Sequence, residues 1–188
     1  ALPPGLLWIE ADLPEISAYI ESKIASEKPV CRLERVSCDL ADSQQLQKLI
    51  EKLEADPRPT LVLTEGLLIY LKDSEVVRLA QALSSAKSIR LWMTDLLSPQ
   101  IMQMLRRGYG NGLNSTGIHS GFAPAEGAKF FERYGWKERE WRSLFHESFR
   151  IQRTMRWGKF YRFLGSFQSP EKKEASKRMG GVVMMERT

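Results

Sequence analysis

Three acidic residues, Asp12, Asp39 and Glu65, each follow a short apolar run, and this recurrence is the chemistry-bearing feature of the sequence. Leu6–Ile9 (LLWI) leads into Glu10, Ala11 and Asp12. Leu33–Cys38 leads into Asp39. The stretch from Thr60 to Leu71, TLVLTEGLLIYL, follows Pro57 and Pro59, and its apolar start stops on Glu65 and Gly66. An apolar run of this length bounded by breakers predicts a strand buried on both faces. In an open parallel sheet, ligands bind just beyond the carboxyl ends of the strands, so the three acids are expected along one edge. Gly66 permits a sharp backbone turn there. A carboxylate accepts from two hydroxyls at once, and at the end of the second strand of a doubly wound fold it binds ribose hydroxyls. An acid after the next strand can accept from the exocyclic amine of adenine, and Glu65 would face the centre of the cleft. The competing reading of Glu65 is a carboxylate that only caps or solvates a strand end. The set suits a nucleoside-containing cofactor. A two-metal site would need a denser cluster of carboxylates and His, and no Ser, His and Asp arrangement stands out for a nucleophile.

The elements that position these residues follow from periodicity. Pro14 opens a helix where its missing N–H costs nothing, with Leu13, Ile16, Ile20 and Ile24 as its apolar stripe. The second strand is interrupted by Arg32, Glu34 and Arg35, which suits a sheet edge. Asp42 or Ser43 caps a helix with the stripe Leu46, Leu49, Ile50 and Leu53. A third helix spans about Asp73 to Ser85, with Val76, Val77, Ala80 and Leu83 inward. Ile89, Leu91 and Met93 then alternate towards Asp95, another acid at a strand end. Ser98 and Pro99 open a fourth helix through Arg107. Four strand–helix alternations predict an α/β fold with a parallel sheet, helices on both faces and right-handed crossovers.

Beyond Arg107 the pattern changes. Residues 108–121 (GYGNGLNSTGIHSG) form a glycine-rich loop. It follows a helix, whereas a dinucleotide loop must follow a strand, so it reads as a lid rather than a phosphate site. His119 within it is expected to be solvated. Pro124–Tyr134 is expected to be a helix ended by Gly135, Trp136–Phe145 a strand, and Phe149–Phe163 a helix. Residues 169–179 read as a charged, flexible connection, and Gly180–Glu186 (GGVVMME) as a last strand. The whole is read as one domain, 1–188.

Composition narrows the function. The net charge is +5, but Lys129 to Arg162 holds ten Lys and Arg against four Glu, which leaves the remainder close to neutral. Its aromatics and cations could bind nucleic acid, but long basic side chains lying over apolar surface are the reading preferred. No apolar run approaches the roughly 20 residues that span a bilayer, so no membrane partner is expected. Two cysteines, Cys31 and Cys38, make no disulfide framework and two His make no zinc cluster, so a cytoplasmic protein without metal is expected.

EADLPE (Glu10–Glu15), SCDL (Ser37–Leu40) and PTLVLTEGLLIYL (Pro59–Leu71), in this order and at these separations, resemble the leucine carboxyl methyltransferase family, in particular its bacterial branch of S-adenosylmethionine-dependent O-methyltransferases. The resemblance covers the first half of the chain well and the rest by layout. It implies the class I methyltransferase fold, Rossmann-like, with a seven-stranded and mostly parallel sheet whose last strand is reversed; GGVVMME is similar to that strand. It implies S-adenosylmethionine as cofactor, with Asp12 on the ribose, Asp39 and Leu40 receiving the adenine, Glu65 near the methionine part and Tyr70 near the substrate mouth. It implies methylation of a carboxylate or other small acceptor, carried on a small molecule or a protein. The family's glycine-rich loop and first strand, which lies between its second and fourth strands, have no counterpart ahead of Leu6, so the chain reads as an N-terminally incomplete domain that binds the cofactor weakly by itself. An incomplete sheet also invites self-association. Against this stand two other readings: a non-catalytic remnant or interaction module of the same fold, and a nucleic-acid-binding protein using the basic stretch.

Overall fold

The computed structural model describes residues 3, 5–109, 121–153 and 169–188. The chain divides into two compact units, Ala1–Pro57 and Arg58–Thr188.

The first unit is built from β1 (Leu7–Asp12), α1 (Pro14–Ile24), β2 (Arg32–Ser37) and α2 (Ser43–Glu54). β1 and β2 pair in parallel, with Glu10 opposite Arg35 and Asp12 opposite Ser37. The charges that interrupt β2 are matched: Arg35 Nε lies 3.0 Å from Glu10 Oε2 and Lys52 Nζ lies 2.9 Å from Glu34 Oε2. Leu46, Leu49 and Ile50 of α2 are buried, as is Cys38. α1 differs from the expectation of an inward stripe. It contributes no buried residue, and Leu13, Ile16 and Ile24 are exposed.

The second unit holds β3 (Thr60–Thr64), α3 (Asp73–Ser85), β4 (Ile89–Leu97), α4 (Pro99–Tyr109), β5 (Trp136–Ser143), α5 (Leu144–Arg150), α6 (Pro170–Lys177) and β6 (Gly180–Arg187), with 3₁₀ segments at Leu68–Tyr70 and Gly127–Tyr134. Its sheet has the order β3-β4-β6-β5. β3 and β4 are parallel, and β6 runs antiparallel to both β4 and β5, which makes it the reversed last strand. The core is aromatic. Trp92 meets Phe131 and Trp136 edge-on at centroid distances of 5.1 and 5.5 Å, an arrangement favoured by the ring quadrupoles. Both buried indoles are satisfied: Trp92 Nε1 donates to Thr64 Oγ1 (3.0 Å) and Trp136 Nε1 to Ala80 O (3.0 Å). Val76, Leu79, Ala80 and Leu83 of α3 are buried, so Leu79 takes the place expected for Val77. Gly181 lies under Trp141, and a Cβ there would also stand 2.7 Å from the Arg142 carbonyl oxygen.

Several expectations are corrected. The four parallel strands lie in two sheets, β1-β2 and β3–β6, rather than one. β3 is the outermost strand of its sheet among the described residues, and Leu61 and Leu63 are 51% and 49% exposed instead of buried on both faces. β1 extends to Asp12 and β4 to Leu97, which puts Asp95 inside its strand. The helix expected from Pro124 begins at Gly127, because the Pro124 carbonyl accepts from the Gly127 N–H in a turn; it ends at Gly135, whose φ of 85° is the left-handed conformation of a helix stop. β5 ends at Ser143 and a short helix follows at once. The charged connection at 169–179 is helical: Ser169 Oγ accepts from the Lys172 N–H, Pro170 occupies the first turn, and Glu171 and Lys177 complement the helix dipole. The glycine-rich lid, from residue 110, with His119, and the basic helix beyond Arg153 lie outside the described residues.

Candidate functional site

Parallel pairing of β1 and β2 brings Asp12 and Asp39 to one edge of the first unit. Asp12 is the last residue of β1, and its carbonyl accepts from the Cys38 N–H at 2.8 Å, which fixes the two strand ends side by side. Asp12 is exposed; its Oδ1 accepts from the following Leu13 N–H (2.8 Å), which orients the carboxylate at the strand end. Asp39 is half-buried. Its Oδ1 accepts from the Ala41 N–H (2.9 Å), curling the loop that carries Leu40. Each aspartate thus keeps lone pairs on its second oxygen for a hydroxyl or amine.

That loop is held from behind by α2. Asp42, its N-cap, accepts from the Gln44 and Gln45 N–H groups at 2.8 and 3.1 Å. Gln45 in turn accepts from the Asp39 N–H through Oε1 (3.0 Å) and reaches Asp42 Oδ2 through Nε2 (3.3 Å). The hydrogen bonds from Gln45 and Gln44 hold the Asp42 carboxyl below its usual range. Burial pushes the Cys38 thiol up, aided by the negative charges of Asp39 and Asp42. Gln45 is the residue that sequence reasoning missed here. A polar residue three positions beyond a helix cap is the signal that could have found it.

In the second unit, Glu65 and Tyr70 flank the turn after β3, and both are exposed. Gly66 has φ +60°, and its N–H donates to Asp95 Oδ1 at 2.7 Å. Register sets Thr64 opposite Thr94, so Asp95 is level with Glu65 at the end of β3. Asp95 therefore acts by holding the Glu65–Gly66 turn. The 3₁₀ turn closed by Tyr70 N–H to Leu67 O (3.0 Å) presents the Tyr70 ring at the surface. The sequence placed Asp95 at a strand end but not in the site, since its partner lies 29 positions away.

Chemically, Asp12 and Asp39 form a pair of acceptors at adjacent strand ends, and Glu65 a third carboxylate with a phenol five residues on. Among the described residues no cluster of three or more His, Cys, Asp or Glu could hold a metal ion, and no helix is long and apolar enough to cross a membrane.

The strand directions and orders, with a reversed last strand, define a class I S-adenosylmethionine-dependent methyltransferase fold. Solved structures agree. The chain is similar to a DUF574 family protein from Streptomyces avermitilis (TM-score 0.60, 7% identity, 98% of this chain and 66% of that one). It is similar to an O-methyltransferase family protein from Burkholderia thailandensis (TM-score 0.55, 10% identity, 97% and 44%). It is also similar to the S-adenosylmethionine-dependent methyltransferase SibL (TM-score 0.53, 14% identity, 98% and 44%).

Residues 2–84 match the model of the leucine carboxyl methyltransferase family. Over 88 residues the chain is 30% identical to leucine carboxyl methyltransferase 1 of Kluyveromyces lactis, which covers 47% of this chain and a quarter of that protein's length (25%). The matched segment contains Asp12, Asp39, Leu40, Glu65 and Tyr70. S-adenosylmethionine is the cofactor that this family and fold imply.

Proposed function

We propose that this chain carries the adenosine-binding part of an S-adenosylmethionine-dependent O-methyltransferase that acts on a carboxylate or another small acceptor. The observation that supports the reading is the placement of Asp12 at the end of β1 and of Asp39 in the loop just beyond β2, where the Cys38 N–H donates to the Asp12 carbonyl, inside the family-matched segment. The residues fit the cofactor's donor groups. Asp12 accepts from the ribose hydroxyls, Asp39 accepts from the adenine amine, and Leu40 supplies an apolar contact for the ring. Glu65 offers a carboxylate to the ammonium of the methionine part, and Tyr70 faces the acceptor. The cofactor, when bound, supplies a methyl group on a sulfonium. A carboxylate acceptor is already ionised, so no general base is required and the protein's work is positioning. The unpaired sheet edges are assigned to self-association in the same reading.

Apart from the Tyr70 hydroxyl, which is assigned to the acceptor, the assigned side chains are acceptors or apolar, and donors for the cofactor's own carboxylate are not among them. Weak binding by this chain is the consequence: a deficit of about 4 kcal/mol takes a micromolar site to roughly millimolar. Titration of the isotope-labelled chain with S-adenosylmethionine, followed by NMR, tests the reading. The amides of Asp12, Leu13, Asp39, Leu40 and Ala41 should shift together, and Asp12→Ala should weaken binding by about 1.5 to 3 kcal/mol, the range for hydrogen bonds to a charged group. Shifts confined to other residues, or an Asp12→Ala variant that binds as the parent does, would favour the interaction-module reading.

A further inference from the structure

We propose that Asp95 is a positioning residue of the cofactor site: its carboxylate replaces a backbone acceptor, ends the β3–β4 ladder, and thereby sets where Glu65 stands. The inference rests on the reading of Glu65 as the contact to the methionine part, and it deepens that reading within the second unit alone.

The backbone pattern identifies the hydrogen bond that is replaced. β3 ends at Thr64, whereas β4 runs on to Leu97, with Asp95, Leu96 and Leu97 opposite Val182, Gly181 and Gly180 of β6. Ser98, the next position of the same register, donates its N–H to Met179 O at 2.8 Å. Opposed residues of an antiparallel pair alternate between exchanging hydrogen bonds and facing away. Trp92, Thr94 and Leu96 therefore address β6, and Met93 and Asp95 direct their N–H and C=O groups to β3. In the parallel register that sets Thr64 opposite Thr94, the next rung would be the Gly66 N–H donating to the Asp95 carbonyl. That N–H donates instead to Asp95 Oδ1, at 2.7 Å.

This exchange decides the path of the chain at Glu65. A bond to the carbonyl would carry β3 one rung further. With the bond on the side chain, pairing stops at Thr64 and Gly66 enters the left-handed region at φ +60°. A Cβ at Gly66 would meet nothing within 4 Å, so crowding does not impose this turn, and the hydrogen bond is what ties it to the sheet. Asp95 is fixed from its other side, because β4 continues on β6 past the end of β3. A bond from a rigid strand thus holds the exposed Glu65, one residue before Gly66, and Asp95 acts on the cofactor only through it.

The test is an NMR titration of the isotope-labelled 188-residue chain with S-adenosylmethionine. It compares the parent with Asp95→Ala, Asp95→Asn, Glu65→Ala and the double variant Glu65→Ala with Asp95→Ala. Without cofactor, Asp95→Ala should move the Gly66 amide signal and speed its hydrogen exchange, while the Trp92, Val183 and Met185 amides keep theirs. With cofactor, it should raise the dissociation constant about threefold or more, at the low end of coupling within one hydrogen-bond network. The double variant should bind as Glu65→Ala does, because a residue acting through Glu65 adds nothing once Glu65 is gone. Asp95→Asn keeps an acceptor oxygen and should restore the Gly66 signal and most of the affinity. If circular dichroism shows Asp95→Ala unfolded, Asp95→Val, which suits a strand and also lacks the acceptor, is held to the same outcomes. An unmoved Gly66 amide or an unchanged dissociation constant overturns the inference. So does a double variant weaker than Glu65→Ala by the full factor of Asp95→Ala, since Asp95 would then act by itself. If Glu65→Ala binds as the parent does, or no amide responds to S-adenosylmethionine, the reading of the site fails and takes the inference with it.

Discussion

At the scale of the residue, the second unit depends on a polar contact inside its aromatic core. Trp92 is fully buried, and its indole N–H has its partner in the Thr64 hydroxyl at 3.0 Å. Thr64→Val keeps the volume and removes only that acceptor, leaving a buried donor unpaired. The expected loss is about 1 to 3 kcal/mol, read as a lower urea midpoint with an unchanged slope. Asp12, Asp39 and Glu65 differ from Thr64 in that none is needed to satisfy a buried group. Their substitution is expected to leave stability almost untouched while changing the affinity for the cofactor. The three acids were legible in the sequence because each ends an apolar run. Asp95 and Gln45 were not, because each acts by holding a loop from another element, a relation that spacing does not express.

At the scale of the element, α2 and its cap decide how the Asp39 loop is presented. The Asp42 carboxylate takes two backbone N–H groups at the helix start, and its pKa is lowered by them. A carboxyl whose folded-state pKa lies below its unfolded value, about 3.9, contributes stability that is present above that value and is lost as pH falls through the lowered one. Asp42→Asn retains a capping oxygen but not the charge. The stability difference between the parent and Asp42→Asn should therefore be complete at pH 7 and shrink towards nothing as the pH falls through the lowered folded-state value. Urea unfolding at a series of pH values measures it, and a difference that stays constant with pH would contradict the charge's role. The cap was readable from sequence as Asp or Ser ahead of an apolar stripe. That the same side chain reaches Gln45, and through it the Asp39 backbone, was decided by the loop's path.

At the scale of the whole molecule, order is distributed unevenly within the units. β4 and β6 are each paired on both sides, and Trp92, Val183 and Met185 on them are fully buried. α1 buries no residue and leaves Leu13, Ile16 and Ile24 at the surface. Local opening is cheapest where few apolar contacts must be broken. Amide hydrogens of α1 should thus exchange well before those of β4 and β6, and hydrogen exchange followed by mass spectrometry should order them so.

The sequence by itself determined the alternation of strands and helices, most of their ends, the reversed last strand and the acids at the strand edge. These follow from local causes: periodicity, prolines at element starts, glycines at turns, and a polar residue where an apolar run stops. Through the motifs around Asp12, Asp39 and Glu65 it also pointed to the family that residues 2–84 match. Only the tertiary structure decided which faces are covered. The stripe of α1 and the alternate leucines of β3 have the pattern of buried residues, yet they stand exposed, because burial depends on a partner element that periodicity cannot supply. Tertiary structure likewise separated the strands into two sheets. A strand's composition states that it will pair, whereas its neighbour is set by the path of the whole chain.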